Sequence, residues 1–136
     1  MKVRIPTEYW RNRKAEERQR FLAGKIAAKD CFMEQLFPDE FIERTDALLK
    51  EFISSISTFS STEADYSRVM AAIQLLVIEL NKINDDFDGS VIETGEREEL
   101  CEFIDNVIIE RGIDIEALAA SQDCDRNELT DEWRDW

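Results

Sequence analysis

The stretch NDDFDGSVIETGE, residues 84 to 96, holds the densest set of side-chain oxygens in the chain. An EF-hand calcium loop places oxygen ligands at its first, third and fifth positions, glycine at the sixth, an apolar residue at the eighth and a bidentate glutamate at the twelfth. The reason is that a hard cation takes roughly six to eight oxygens around a sharp turn. Asn84, Asp86, Asp88, Gly89 and Val91 meet the first five requirements, but Gly95 stands where the closing glutamate belongs and Glu96 comes one residue late. Asn84 also lacks the charge of the usual first aspartate. The stretch therefore reads as an acidic, glycine-containing connection, and no metal or other cofactor is assigned to it.

Its carboxylates still need an account. Asp85, Asp86, Asp88, Glu93, Glu96, Glu98, Glu99 and Glu102 lie within 18 residues, with Arg97 the only base among them. Glu96, Glu98 and Glu99 fall in the first turn of an expected helix and suit its positive end. Asp85, Asp86 and Asp88 fall at the end of the preceding helix and oppose its dipole. Residues that weaken their own element are candidates for binding. Paired carboxylates can also do acid and base work, but that needs one buried acid beside an ionised one in a cleft. Histidine is absent, which removes the commonest general base and the usual zinc ligand. No glycine-rich phosphate loop, GxSxG element or metal quartet is present. No catalytic residue is assigned, and the chain is read as a binding protein rather than an enzyme. A carboxylate or metal-dependent enzyme stays as the alternative from another class.

Three cysteines, Cys31, Cys101 and Cys124, form no CxxC pair and read as reduced thiols. Net charge is −14, unevenly divided: residues 1 to 29 hold nine Lys or Arg against three acids, and the remainder hold eight against 28. An acidic body of this kind repels nucleic acid and anionic membrane and draws cationic surfaces toward itself. The basic head has three readings: it binds nucleic acid, it folds back on the acidic body, or it pairs with the body of a second copy. A homodimer is compatible with the last. Arg4, Arg11, Arg13 and Lys14 are followed by more charge rather than by an apolar run, and Met70 to Ile78 is far too short to span a bilayer. The expectation is a cytoplasmic protein that does not enter a membrane.

Four Gly and two Pro in 136 residues are few for a β-sandwich or barrel, and 43% hydrophobic residues suffice for one core. The sequence predicts one all-α domain over residues 1–136, a helical bundle of about four to six helices, with a basic N-terminal helix over 7–36 and an acidic body over 38–136. Thr7 reads as the N-cap of the first helix, whose first turns project from the body unless it breaks near Gly24. Pro38, followed by Asp39 and Glu40, opens a second helix carrying Phe41, Ile42, Leu48, Leu49, Phe52, Ile53 and Ile56 on one side. Ser60 with Glu63, or Thr62 with Asp65, starts a third, apolar nearly all round between Val69 and Leu80. Thr94 caps a fourth with Leu100, Cys101, Phe103, Ile104, Val107 and Ile108 on its face, and Gly112 stops it. A short turn at Ile115 to Ala119 follows.

The last ten residues, NELTDEWRDW, set Trp133 and Trp136 on one stripe with Leu129 if the segment is helical. Trp133 is expected to pack inward and Trp136 to stay largely exposed. ETGEREELCEFI together with the terminal DEWRDW resembles small acidic immunity proteins of polymorphic or contact-dependent toxin systems, over about residues 93–136. The resemblance carries over no functional residue. It implies a cytoplasmic inhibitor that neutralises a cognate toxin, often a cationic nuclease. The charge pattern agrees in kind, since acid matched to base accelerates encounter and an exposed aromatic ring supplies an anchor. The expected partner is a cationic protein, with no direct contact to nucleic acid, bound through Asp85, Asp86, Asp88, Glu93, Glu96, Glu99 and Trp136. A nucleic-acid mimic from a mobile element is the second reading of the same surface.

Overall fold

The computed structural model describes residues 3–136. Six α-helices follow one another along them: α1 (Pro6–Leu22), α2 (Met33–Leu36), α3 (Asp39–Thr58), α4 (Tyr66–Asp86), α5 (Thr94–Glu110) and α6 (Ile115–Ser121). Single 3-10 turns lie at Ala28–Asp30, Glu63–Asp65 and Arg126–Glu128, and no strand occurs among the described residues. The chain is one all-α domain.

The helical period of apolar residues decides the centre. α3 buries Phe41, Ile42, Leu49, Phe52 and Ile56, and α4 buries Val69, Ile73, Leu76, Val77 and Leu80 against it. α5 closes the core with Leu100, Phe103, Ile104, Val107 and Ile108. At its end Gly112 takes a φ of +87°, its amide donates to the Ile109 carbonyl at 2.9 Å, and the Ile113 amide donates to that of Ile108 at 3.2 Å. Only glycine takes that left-handed angle without strain, so the helix stops there and Ile113 turns into the core. Asp114 then caps α6 by accepting from the Ala117 amide at 3.1 Å.

The head departs from the sequence reading. A helix over 7–36 is expected, but α1 ends at Leu22 and the chain turns at Gly24, whose φ is +73°. α2 begins only at Met33, its start tied to α1 because the Phe32 and Met33 amides donate to the Glu17 carboxylate at 3.0 and 3.1 Å. Thr7 is not the N-cap; Ile5 takes that place, with Pro6 at the first helical position. The Thr7 hydroxyl instead donates to Asp46 of α3 at 2.6 Å. Nor do the first turns project. Trp10 is 0% exposed, stacked between Phe37 and Phe41 at centroid distances of 5.5 and 5.2 Å. One large ring docks a helix that is otherwise almost wholly polar.

The basic head thus folds back on acid. Lys14 pairs with Asp39 and Glu34, Arg18 with Glu34, and Arg11 lies 3.6 Å from Asp46. The side-chain hydrogen bond from Lys14 holds the Asp39 carboxyl below the usual carboxylate range. Burial alone would raise that of Asp46, but hydrogen bonds from Lys50 and Thr7, with the Arg11 charge, outweigh it and hold this carboxyl low too.

The ending also differs. Residues 129–136 form no helix, because Asn81 of α4 takes up the backbone groups a helix would have used. Its amide nitrogen donates to the Trp133 carbonyl at 2.7 Å, and its amide oxygen accepts from the Asp135 amide at 3.1 Å. Leu129 is buried and Trp133 half-buried, but Trp136, expected to be largely exposed, is half-buried against the same core. The Arg134 guanidinium lies over its ring at 5.5 Å, and its indole nitrogen is closed off from solvent without a hydrogen-bond partner.

Candidate functional site

The connection between α4 and α5 is held from within. Asn84, the residue that matches the first position of a calcium loop, is buried, and its Oδ1 accepts from the amides of Val91 and Ile92 at 3.3 and 3.0 Å. Val91 and Ile92 are themselves buried, so both ends of the turn are fastened to the core. Between them Asp88 takes a φ of +61° and Gly89 one of +70°. Aspartate tolerates that region better than most residues, but it is still an uncommon conformation for a side chain. Among the described residues no group of three or more Asp, Glu or Cys has the arrangement of a metal site.

The seven residues expected to meet a partner fall into different situations. Asp85 and Asp88 are exposed and take no ion pair among the described residues. Glu93 is exposed but caps α5 in a reciprocal box: its carboxylate accepts from the amide of Glu96, whose own carboxylate accepts from that of Glu93 at 3.4 Å. The cap is therefore Glu93 and not Thr94. Asp86 is spent on Arg44 of α3, 2.8 Å away. Glu99 points the other way along α5, accepting from the Trp10 indole nitrogen at 3.0 Å. Glu96 is half-buried, and burial, with the charges of Glu99 and Glu93, pushes its carboxyl above the usual range. Trp136 belongs to the half-buried ending. Five of the seven are thus engaged within the molecule.

Residues that the sequence reading left out take their place. Asn81 lies one turn before Asp85 on α4, so the segment it holds runs beside the acidic turn and brings exposed Glu132 and Asp135 to the same region. On the other side Arg134 donates to Cys101 Sγ at 3.3 Å, joining the segment to α5. Exposed Glu98 lines a shallow cleft there with Asn127 and Thr130. Carboxylates thus collect at this end of the bundle: Asp85 and Asp88 on the fastened turn, Asp135 and Glu132 on the segment held by Asn81, and Glu98 on α5 beyond it. A signal for Glu98 was in the sequence, as part of the acidic run; the meeting with residues 132–135 was not, since it depends on Asn81.

A second concavity lies at the base of α1. Arg4, Tyr9, Glu99, Glu102, Phe103 and Asn106 line a cleft of about 370 Å³, with the guanidinium groups of Arg4 and Arg13 5.4 and 5.6 Å from the Tyr9 ring centre. Its one oriented acid, Glu99, is satisfied by Trp10.

A family model described as a family of unknown function, DUF5713, matches residues 21–135. The match covers most of the chain, which belongs to that family. It begins at the last turn of α1, leaving Trp10 outside the matched span. No curated protein and no solved structure matches the chain.

Proposed function

We propose that this DUF5713 member is an inhibitor of the immunity type, which binds and neutralises a cationic partner protein through the carboxylate-rich end of its bundle. The observation that carries the reading is preorganisation. Asp85 and Asp88 stand exposed with no cation paired to them among the described residues, on a turn whose two ends are fastened by Asn84, Val91 and Ile92. Like charges gathered on a fixed backbone repel one another in the free protein, and a basic surface that approaches them relieves the repulsion without any loop having to be ordered. The resemblance of residues 93–136 to toxin immunity proteins points the same way, and a cognate toxin is the partner it implies.

The carboxylate surface accelerates encounter and sets orientation. Apolar contact has to come from its margin, since Trp136 offers only part of its ring. The test is capture of the partner from the native host, identification by mass spectrometry, and stopped-flow association with the purified pair. Asp85→Asn, Asp88→Asn and Glu98→Gln together should slow association about tenfold or more at low salt and flatten its salt dependence. A rate that does not change, with the fold intact, removes this surface from the function.

A further inference from the structure

The α1–α2 connection carries an apolar patch with no cover. Leu22 is 76% exposed and Phe32 53%, with Phe21 and Leu36 also open to solvent. Around them Arg20, Lys25 and Lys29 take no ion pair among the described residues. Patches of this kind on a soluble chain mark a contact surface. At a different place, between α3 and α4, Leu48, Ala72 and Leu75 line an open groove of about 280 Å³ floored by Phe52 and Leu76. Leu75 is 56% exposed there, and the rims are Glu51 and Glu79. One surface is an apolar projection with three cations unpaired among the described residues, beside Asp30 and the Glu34 engaged by Lys14 and Arg18, and the other an apolar groove edged by Glu51 and by Glu79, which Lys82 reaches at 2.8 Å.

They cannot meet within one molecule. α1 lies antiparallel to α3, since Thr7 and Arg11 reach Asp46 while Lys14 reaches Asp39. Leu22 therefore lies about 12 Å beyond the start of α3, and Glu51 about 18 Å along α3 in the other direction, at 1.5 Å per helical residue. A separation of roughly 30 Å leaves the projection pointing away from its own groove.

We propose that the projection of one copy docks in the groove of a second, so that the chain associates with itself head to groove. Charge selects the occupant: Lys25, Lys29 and Arg20 come opposite Glu51 and Glu79, while Leu22 and Phe32 cover Leu48 and Leu75. The contact is heterologous, so an open assembly keeps one free projection at one end and one free groove at the other unless it closes into a ring. This surface is separate from the carboxylate-rich end proposed above, and its failure would leave that reading untouched.

Sedimentation velocity on the full chain tests it. The sedimentation coefficient should rise with concentration at low salt and fall back as salt screens the rims. Leu22→Glu and Leu75→Glu, both at exposed positions, should each be monomeric alone. Mixed, they should form a one-to-one dimer, because the intact projection of one meets the intact groove of the other. Lys25→Glu and Glu51→Lys should each be monomeric alone and associate when mixed, here without a stop at the dimer because both contacts are again complementary, and circular dichroism checks the fold of each variant. A wild-type chain that stays monomeric throughout overturns the proposal. So does a Leu75→Glu variant that still associates, which would mean projection to projection, or a mixture that does not pair. A monomer that sediments with phosphatidylserine vesicles through Leu22 assigns the projection to lipid and also overturns it.

Discussion

Replacing Trp10 by alanine should detach α1 before it unfolds the body. Of the 17 residues of α1 only Pro6, Thr7 and Trp10 are buried, so one ring supplies most of the apolar anchorage. Truncating a fully buried tryptophan costs about 3 to 5 kcal/mol, a sum that includes roughly 0.5 to 1.5 for each stacked neighbour, here Phe37 and Phe41. Glu99 also loses its donor, but it is only half-buried and water can take the place of the indole. Against this stand the buried Thr7 bond to Asp46, worth about 1.5 to 3 kcal/mol as a hydrogen bond to a charged group, and the solvent-screened pairs of Lys14 and Arg18, which add less. The ring therefore dominates. Two readouts separate local from global loss. Hydrogen exchange in Trp10→Ala should become fast over residues 11–22 while α4 and α5 stay protected, and trypsin should cut at Arg11, Lys14 and Arg18. Urea denaturation should show a loss of about 3 kcal/mol at most if the body holds without α1. Trp10→Phe should keep most of the protection, giving up the bond to Glu99. Undiminished protection of α1 in Trp10→Ala would refute the reasoning, because the polar contacts would then be holding the helix.

Asn84→Ala leaves the buried amides of Val91 and Ile92 without an acceptor and should cost about 2 kcal/mol or more, read as a lower urea midpoint; an unchanged midpoint would mean the turn is not fastened there. Asp46 has its carboxyl held low in the folded state, so its contribution is complete at neutral pH and lost as pH falls through that depressed value; Asp46→Asn should destabilise at about pH 7 and match the wild type in strong acid. Glu96 has the opposite sign, its carboxyl being raised by burial: its ionised form weakens the fold above the raised value, so Glu96→Gln should stabilise at neutral pH and lose that advantage on acidification. Trp136→Phe removes a donor that has no partner and should be neutral or slightly stabilising in thermal denaturation, whereas Asn81→Ala should free residues 133–136 and shift tryptophan emission to the red.

The elements that announce themselves in the sequence are those whose partners lie along their own helix. α3, α4 and α5 each repeat apolar residues every three or four positions, and Pro38 and Gly112 mark a start and a stop by local backbone chemistry alone. Trp10 gives no such sign. It sits beside the polar run Arg11 to Arg20, and what buries it, Phe37, Phe41 and Glu99, comes from elsewhere in the chain. The spacing of Trp133 and Trp136 does suggest a helical stripe, but Asn81, 52 residues before Trp133, binds the Trp133 carbonyl and the Asp135 amide, and the segment takes another course. The candidate surface divides in the same way. Its acidity is legible as composition, and Asp85 and Asp88 as exposed members of it. That Asp86 is neutralised by Arg44 and Glu99 committed to Trp10 is a matter of tertiary contact, which no local pattern carries.

The bond from Trp10 to Glu99 joins residues 89 apart. A ribosome adding on the order of 5 to 20 residues per second takes roughly 5 to 20 seconds to cover that interval. For that time the cationic helix is outside or in the exit tunnel with no finished slot to enter, and its neighbours are ribosomal RNA and whatever else carries negative charge. The clasp on Asn81 comes later still, after the last helices. Counted from residue 1, the charge is +6 at Lys29 and already −4 at Glu93, so the change of sign precedes α5, and the basic helix waits for its Glu99 partner beside a stretch that has turned acidic.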